Sequence, residues 1–211
     1  MSNSSAKLSN DYEKKKLLDH LVSTISAENF LSTEGLGNEV PFFICPFKAE
    51  HQKEMNVLYS QLIKQLLLKD IEPLELRLYD IAMEILEERK ILPKILKQEQ
   101  ELDKKELLET LQNVLDPEKY LVPKIEKIVS NSSSKVVFLS GVGAVFPYLR
   151  SHNILNNLQS TIKHIPMIMF FPGNYQHEQA TGASLDLFGA LKDDNYYRAF
   201  NILAMGTYSN D

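Results

Sequence analysis

The chain has 211 residues, 44% of them hydrophobic and 24% charged, with a net charge of -5 and one cysteine. That length and composition fit one substantial globular core, and the acidic balance excludes broad nucleic-acid binding through a basic surface. A lone cysteine excludes an internal disulfide, no apolar run reaches membrane-spanning length, and the opening Met-Ser-Asn-Ser-Ser lacks a basic-then-apolar leader, so a cytoplasmic protein is expected.

Residues 1–11 are Ser/Asn-rich and are expected to be disordered, leaving 12–211 as a single domain. From 12 to 30 the apolar positions Leu17, Leu18, Leu21, Val22 and Ile25 recur at spacings of three and four, which predicts an amphipathic helix. The neighbouring Lys14-Lys15-Lys16 is interleaved with Asp11, Glu13 and Asp19 and reads as a solvated helix face. Gly35 and Gly37 break the pattern. Residues 40–47 form a nearly continuous apolar run bounded by Pro41 and Pro46, a buried strand in which Cys45 is a small buried thiol. Residues 50–69 predict a helix with Met55, Leu58, Leu62, Ile63 and Leu66 on one stripe.

Alternation of Leu74, Leu76 and Leu78 with Glu75 and Arg77 predicts a strand over 71–78 with one wetter face. Asp80 is placed to cap a helix running to Arg89. Residues 90–130 are helical and charge-laced, with Asp116 as an N-cap before Pro117. After the turn at 131–134 comes an apolar strand, 135–140, followed by Gly141 and Gly143. A helix over 153–163, a fully apolar strand over 165–171 and a closing strand over 199–204 complete the pass. Apolar strands alternating with amphipathic helices predict an α/β fold, a mostly parallel central sheet with helices on both faces.

The sequence carries no recognisable catalytic constellation. After the strand at 40–47 the sequence is Pro46-Phe47-Lys48-Ala49-Glu50-His51, with Lys48 but no glycine-rich phosphate loop. Gly141-Val142-Gly143 matches only the start of a dinucleotide fingerprint, and a tight strand exit explains both glycines. His20, His51, His152, His164 and His177 show no metal-ligand spacing, and Ser140 is not embedded in a nucleophile elbow. No catalytic residue, metal or cofactor is therefore assigned, and a membrane partner is not expected.

The whole net charge lies in the first 130 residues, which hold 18 basic and 23 acidic side chains; the remainder holds five of each. This less charged C-terminal part carries three Gly/aromatic/Arg clusters: Phe171-Pro172-Gly173-Asn174-Tyr175, Leu187-Phe188-Gly189, and Asn195-Tyr196-Tyr197-Arg198. The first predicts a strand opening into a shaped loop in which Gly173 supplies positive φ. Tyr196, Tyr197 and Arg198 admit two readings, core packing with an internal ion pair or contact with a ligand. Aromatic residues with an Arg make up the composition of interface hot spots, so Pro172, Gly173, Tyr175, Phe188, Tyr196, Tyr197 and Arg198 are the candidate partner-binding residues.

These clusters, with the strand end Pro46-Phe47-Lys48 and the run Gly141-Val142-Gly143-Ala144-Val145-Phe146-Pro147-Tyr148-Leu149-Arg150, resemble the BrxB family of bacterial BREX (bacteriophage exclusion) systems over residues 12–205. The resemblance implies a small component of a phage-defence system that also encodes a DNA methyltransferase, a large ATPase and an alkaline-phosphatase-like protein, PglZ. It implies no enzymatic activity and an assembly role, with PglZ the first candidate partner. Two alternatives stay open from the residues: a degenerate P-loop-type nucleotide-binding module with Lys48 as its phosphate contact, and a nucleic-acid-binding adaptor using Tyr196, Tyr197 and Arg198. The strand order at 40–47, 136–139 and 165–171 suits a degenerate P-loop-like three-layer sandwich.

Overall fold

A computed structural model describes residues 5–33, 41–178, 182–194 and 199–206. In chain order it forms α1 (Asp11–Ile25), α2 (Glu28–Leu31), β1 (Phe42–Phe47), α3 (Gln52–Leu67), β2 (Leu74–Arg77), α4 (Leu78–Glu88), α5 (Leu92–Gln98), α6 (Lys104–Val114) and α7 (Val122–Ser130). It continues with β3 (Val137–Ser140), α8 (Val142–Val145), α9 (Ser151–Thr161), β4 (Met167–Glu178), β5 (Gly182–Leu187), β6 (Leu191–Asp194) and β7 (Phe200–Asn201).

The main sheet runs β2-β3-β4-β1-β7 with each neighbouring pair parallel. Beyond Pro172, β4 leaves this sheet and pairs antiparallel with β5, which pairs antiparallel with β6. Strand alternation divides the apolar residues between two cores. Phe42 and Ile44, Val137 and Leu139, and Met167, Met169 and Phe171 face α4, α5, α7, α8 and α9. Phe43, Cys45 and Phe47, Phe138, and Ile168 and Phe170 face α1, α2 and α3. Continuous apolar sequence in β1 and β4 is the direct consequence of cover on both faces, and the α/β expectation holds.

Side-chain caps start α1, α6 and the turn that leads into α7. Asn10 caps α1 by accepting from the Glu13 amide at 2.9 Å. Asp103 and Glu106 form a reciprocal capping box on α6, a signature of an N-terminus. Asp116 accepts from the Lys119 amide at 2.9 Å with Pro117 following, as its sequence predicts, although the turn it opens is a single wide one (Pro117–Leu121) before α7.

Several boundaries differ from the sequence expectations. A short 3₁₀ turn at Ala49–His51 precedes α3. The strand expected over 71–78 is trimmed to β2, because Leu78 already starts α4, and Asp80 sits in the first helical turn instead of capping it. The closing strand shrinks to β7 followed by a 3₁₀ turn at Ile202–Ala204. Residues 5–10, expected to be disordered, lie against the end of β1: the Ala6 amide donates to Pro46 O at 2.8 Å, and Ala6 and Leu8 are buried. Gly35, Gly37 and Val40 lie outside the described residues.

Candidate functional site

The sheet topology itself creates a crevice. The chain leaves β1 toward α3 on one face and leaves β3 toward α8 and α9 on the other. Strand ends whose exits diverge in this way form the topological switch point where open α/β sheets bind ligands. A cleft of about 660 Å³ lies there, reached by the ends of β1, β2, β3 and β4. This is within the size range of ligand pockets.

Each wall has a local cause. Gly141 follows β3 at φ +80, a left-handed conformation that turns the strand directly into α8 and that a side chain would strain. Gly143 lies under the ring of Phe188: a Cβ there would stand 2.9 Å from Phe188 Cε1 and 3.4 Å from Pro172 Cγ. Phe188 itself is held at φ +58, an unusual state for a bulky residue. Two contacts fix it, its amide donating to Pro172 O at 2.9 Å and its ring meeting Phe146 edge-on at 6.2 Å. The ring remains 44% exposed at the mouth.

From α3 the cleft receives Gln52, Asn56, Tyr59 and Ser60, with Gln52 Nε2 donating to Asn56 Oδ1 at 2.9 Å. The Tyr59 ring meets Phe170 edge-on at 4.8 Å. Its hydroxyl is shielded from water and makes no hydrogen bond of good geometry. Burial, and then the nearby Glu75 carboxylate, push its pKa well above the ordinary tyrosine value; the Ser140 hydroxyl is close enough to offset part of this. From the end of β2 come Arg77, Tyr79 and Asp80. Arg77 is loosely paired with Glu75 at 3.8 Å.

The candidate partner-binding residues separate in space. Pro172 and Phe188 line the cleft together. Gly173 is buried and sits within β4, where a loop with positive φ was expected; what it supplies is a close approach, since a Cβ would lie 2.1 Å from Asp186 O. Tyr175 is 1% exposed and its hydroxyl donates to Ala199 O, so it anchors the chain just beyond 195–198 and presents no surface. Burial raises its pKa to about 12. Tyr196, Tyr197 and Arg198 lie outside the described residues. The cleft residues that sequence reading did not single out as a site, Tyr59, Tyr79 and Asp80, come from the first half of the chain. Asp80 was visible there only as a helix cap, and Tyr59 and Tyr79 carried no signal of their own.

Lys48 and Cys45 both lie in ordinary structural settings. Lys48 pairs with Glu50 at 3.3 Å and points into no glycine-lined loop. Cys45 is fully buried, and desolvation raises its thiol pKa to about 12, which leaves it unreactive. Among the described residues no cluster of three or more His, Cys, Asp or Glu is placed to hold a metal, and no helix is long and apolar enough to cross a membrane.

Residues 74–202, from β2 through β7, match the family described as BREX protein BrxB. The chain belongs to the BrxB family. A BREX protein BrxB from Bacillus cereus (strain H3081.97) is 38% identical over 194 residues, covering 88% of this chain and 95% of the relative. Another from Escherichia coli O9:H4 (strain HS) is 28% identical over 186 residues, covering 88% of this chain and 90% of the relative. No solved structure matches the chain. Membership makes the protein a component of a BREX system, and the BrxB match contains the cleft walls built by β2, β3, β4 and the β5–β6 turn.

Proposed function

We propose that this BrxB protein is a non-catalytic assembly module that docks another BREX protein, with PglZ the first candidate. The observation carrying this reading is the apolar tip of the antiparallel extension. Phe188 and Leu191, 44% and 43% exposed, flank the β5–β6 turn beside the cleft mouth. Large apolar groups on a projecting turn, adjoining Tyr79 and Arg77, have the composition of an interface centre. Phe188 adds a second reason: a bulky side chain kept in a left-handed conformation by its surroundings is a marker of functional strain.

Of the candidate residues within the described parts of the chain, Phe188 presents the docking surface, and Pro172, Gly173 and Tyr175 are buried and support it from beneath. The ion pair of Lys48 with Glu50 weighs against the nucleotide-binding alternative. The test is co-purification of tagged protein from cells carrying the whole BREX operon, with the captured proteins identified by mass spectrometry. Recovery of a stoichiometric BREX partner, lost in Phe188→Asp while the variant stays folded, is expected. Capture of none of the operon's products overturns the reading.

A further inference from the structure

Charge in the cleft decides what kind of group it accepts. Among the described residues its one lining cation is Arg77, which already has Glu75 for a partner at 3.8 Å. Asp80 also lines the cleft and is exposed, and among the described residues it has no ion-pair partner. Glu75, which does not line the cleft, adds a second carboxylate next to Arg77, so the described charges around it are one positive against two negative. Among the described residues an anionic ligand would meet net repulsion here and no second cation, whereas phosphate sites gather donors of positive charge. The rest of the lining is aromatic and amide: Tyr79, 48% exposed and adjacent to Asp80 in sequence, Phe188 at the mouth, and Gln52 and Asn56 from α3. Ring faces and an unpaired carboxylate together suit an organic cation, above all a planar guanidinium, which stacks on rings and offers a fork of donors to a carboxylate.

We infer that the cleft at the carboxyl ends of β1–β4 receives an arginine side chain presented by the partner protein, its guanidinium bonded to Asp80 and lying against Tyr79 or Phe188. This rests on the docking reading and deepens it. The apolar tip of the extension supplies contact area, and the cleft beside it supplies a charge-selective socket. The amides of Gln52 and Asn56 are then placed to meet backbone or side-chain groups that accompany the arginine into the cleft.

The full chain tests this without the partner. N-acetyl-arginine amide and its neutral, nearly isosteric counterpart N-acetyl-citrulline amide are titrated separately while amide NMR shifts are followed. The arginine probe is expected to move the signals of Tyr79, Asp80, Gly141 and Phe188 with an affinity in the millimolar range, as one side chain allows. The citrulline probe is expected not to saturate. Asp80→Asn should weaken the arginine probe roughly tenfold, the scale of one charge-assisted hydrogen bond, and Phe188→Ala should weaken it by a smaller factor. Equal binding of both probes, or no shift at these residues, overturns the socket. The co-purified partner provides the second arm: full retention by Asp80→Asn together with loss by Phe188→Asp overturns the arginine assignment while leaving docking intact.

Discussion

Gly173→Ala is the sharpest test of how the antiparallel extension is built. The added Cβ would lie 2.1 Å from Asp186 O and 2.7 Å from the Phe171 ring edge. Contacts of that kind do not occur, so something must move, and the first obstacle is backbone paired in register, Gly173 opposite Leu187. Inserting a methyl into a packed site costs about 1–3 kcal/mol, and displacement of paired backbone places this case at the upper end, about 3 kcal/mol. For a chain of this size each kcal/mol moves the melting temperature by roughly 2–4 °C, so a fall of about 6–12 °C is expected. Equilibrium urea unfolding and a thermal melt measure it, and amide exchange at Leu185 and Leu187 should accelerate. Gly206→Ala is the control: it has φ +66 but nothing within 4 Å of an added Cβ, so only the left-handed cost of about 1 kcal/mol applies. A Gly173→Ala protein as stable as Gly206→Ala would refute the close crossing of β4 and β5.

Tyr175→Phe removes the donor to the buried Ala199 carbonyl and should cost about 1–3 kcal/mol in urea unfolding, the penalty of an unsatisfied buried acceptor. The raised tyrosine pKa, about 12 against an ordinary 10, means folding favours the protonated phenol. That contribution is fully present below pH 10 and is lost as the pH climbs toward 12, so phenolate absorbance in the native protein should lag that of the unfolded chain. His20 behaves in the opposite sense. It is half-buried, its Nε2–H donates to Ile202 O at 3.0 Å, and burial lowers its pKa below 6.5, an effect the hydrogen bond partly offsets. The unfolded state therefore binds its proton first, and stability present above pH 6.5 is lost as the pH falls below it; imidazole NMR signals that titrate at or above 6.5 would contradict this. Arg89 lies 3.6 Å over the Tyr120 ring and donates to Val114 O at the end of α6. Arg89→Ala should cost about 1–3 kcal/mol, whereas Arg89→Lys should recover only part of it.

The sheet was legible because burial on both faces writes itself into sequence as unbroken apolar runs, as in Phe42-Phe43-Ile44-Cys45 and Met167-Ile168-Met169-Phe170. Helices α1 and α3 were legible from their stripes, and Asp116-Pro117 from the chemistry of caps. The continuation of β4 through Pro172 and Gly173 was not, because Pro-Gly signals a turn and only the partner strand β5 shows that the glycine serves a close approach. Phe188 was visible as part of a Leu-Phe-Gly cluster, but its left-handed backbone depends on Phe146 and Pro172, which are distant in sequence. The cleft was least legible of all. Its residues come from α3, β2, β3 and the β5–β6 turn, so no spacing in one segment marks them.

Binding of purified protein to a purified PglZ-like protein from the same operon, followed by sedimentation velocity with wild type and Phe188→Asp, addresses the central claim most directly. The account predicts a defined complex with wild type and two separate species with the variant, both preparations showing the same thermal melt. A PglZ-like protein that sediments alone in the presence of either one would contradict it.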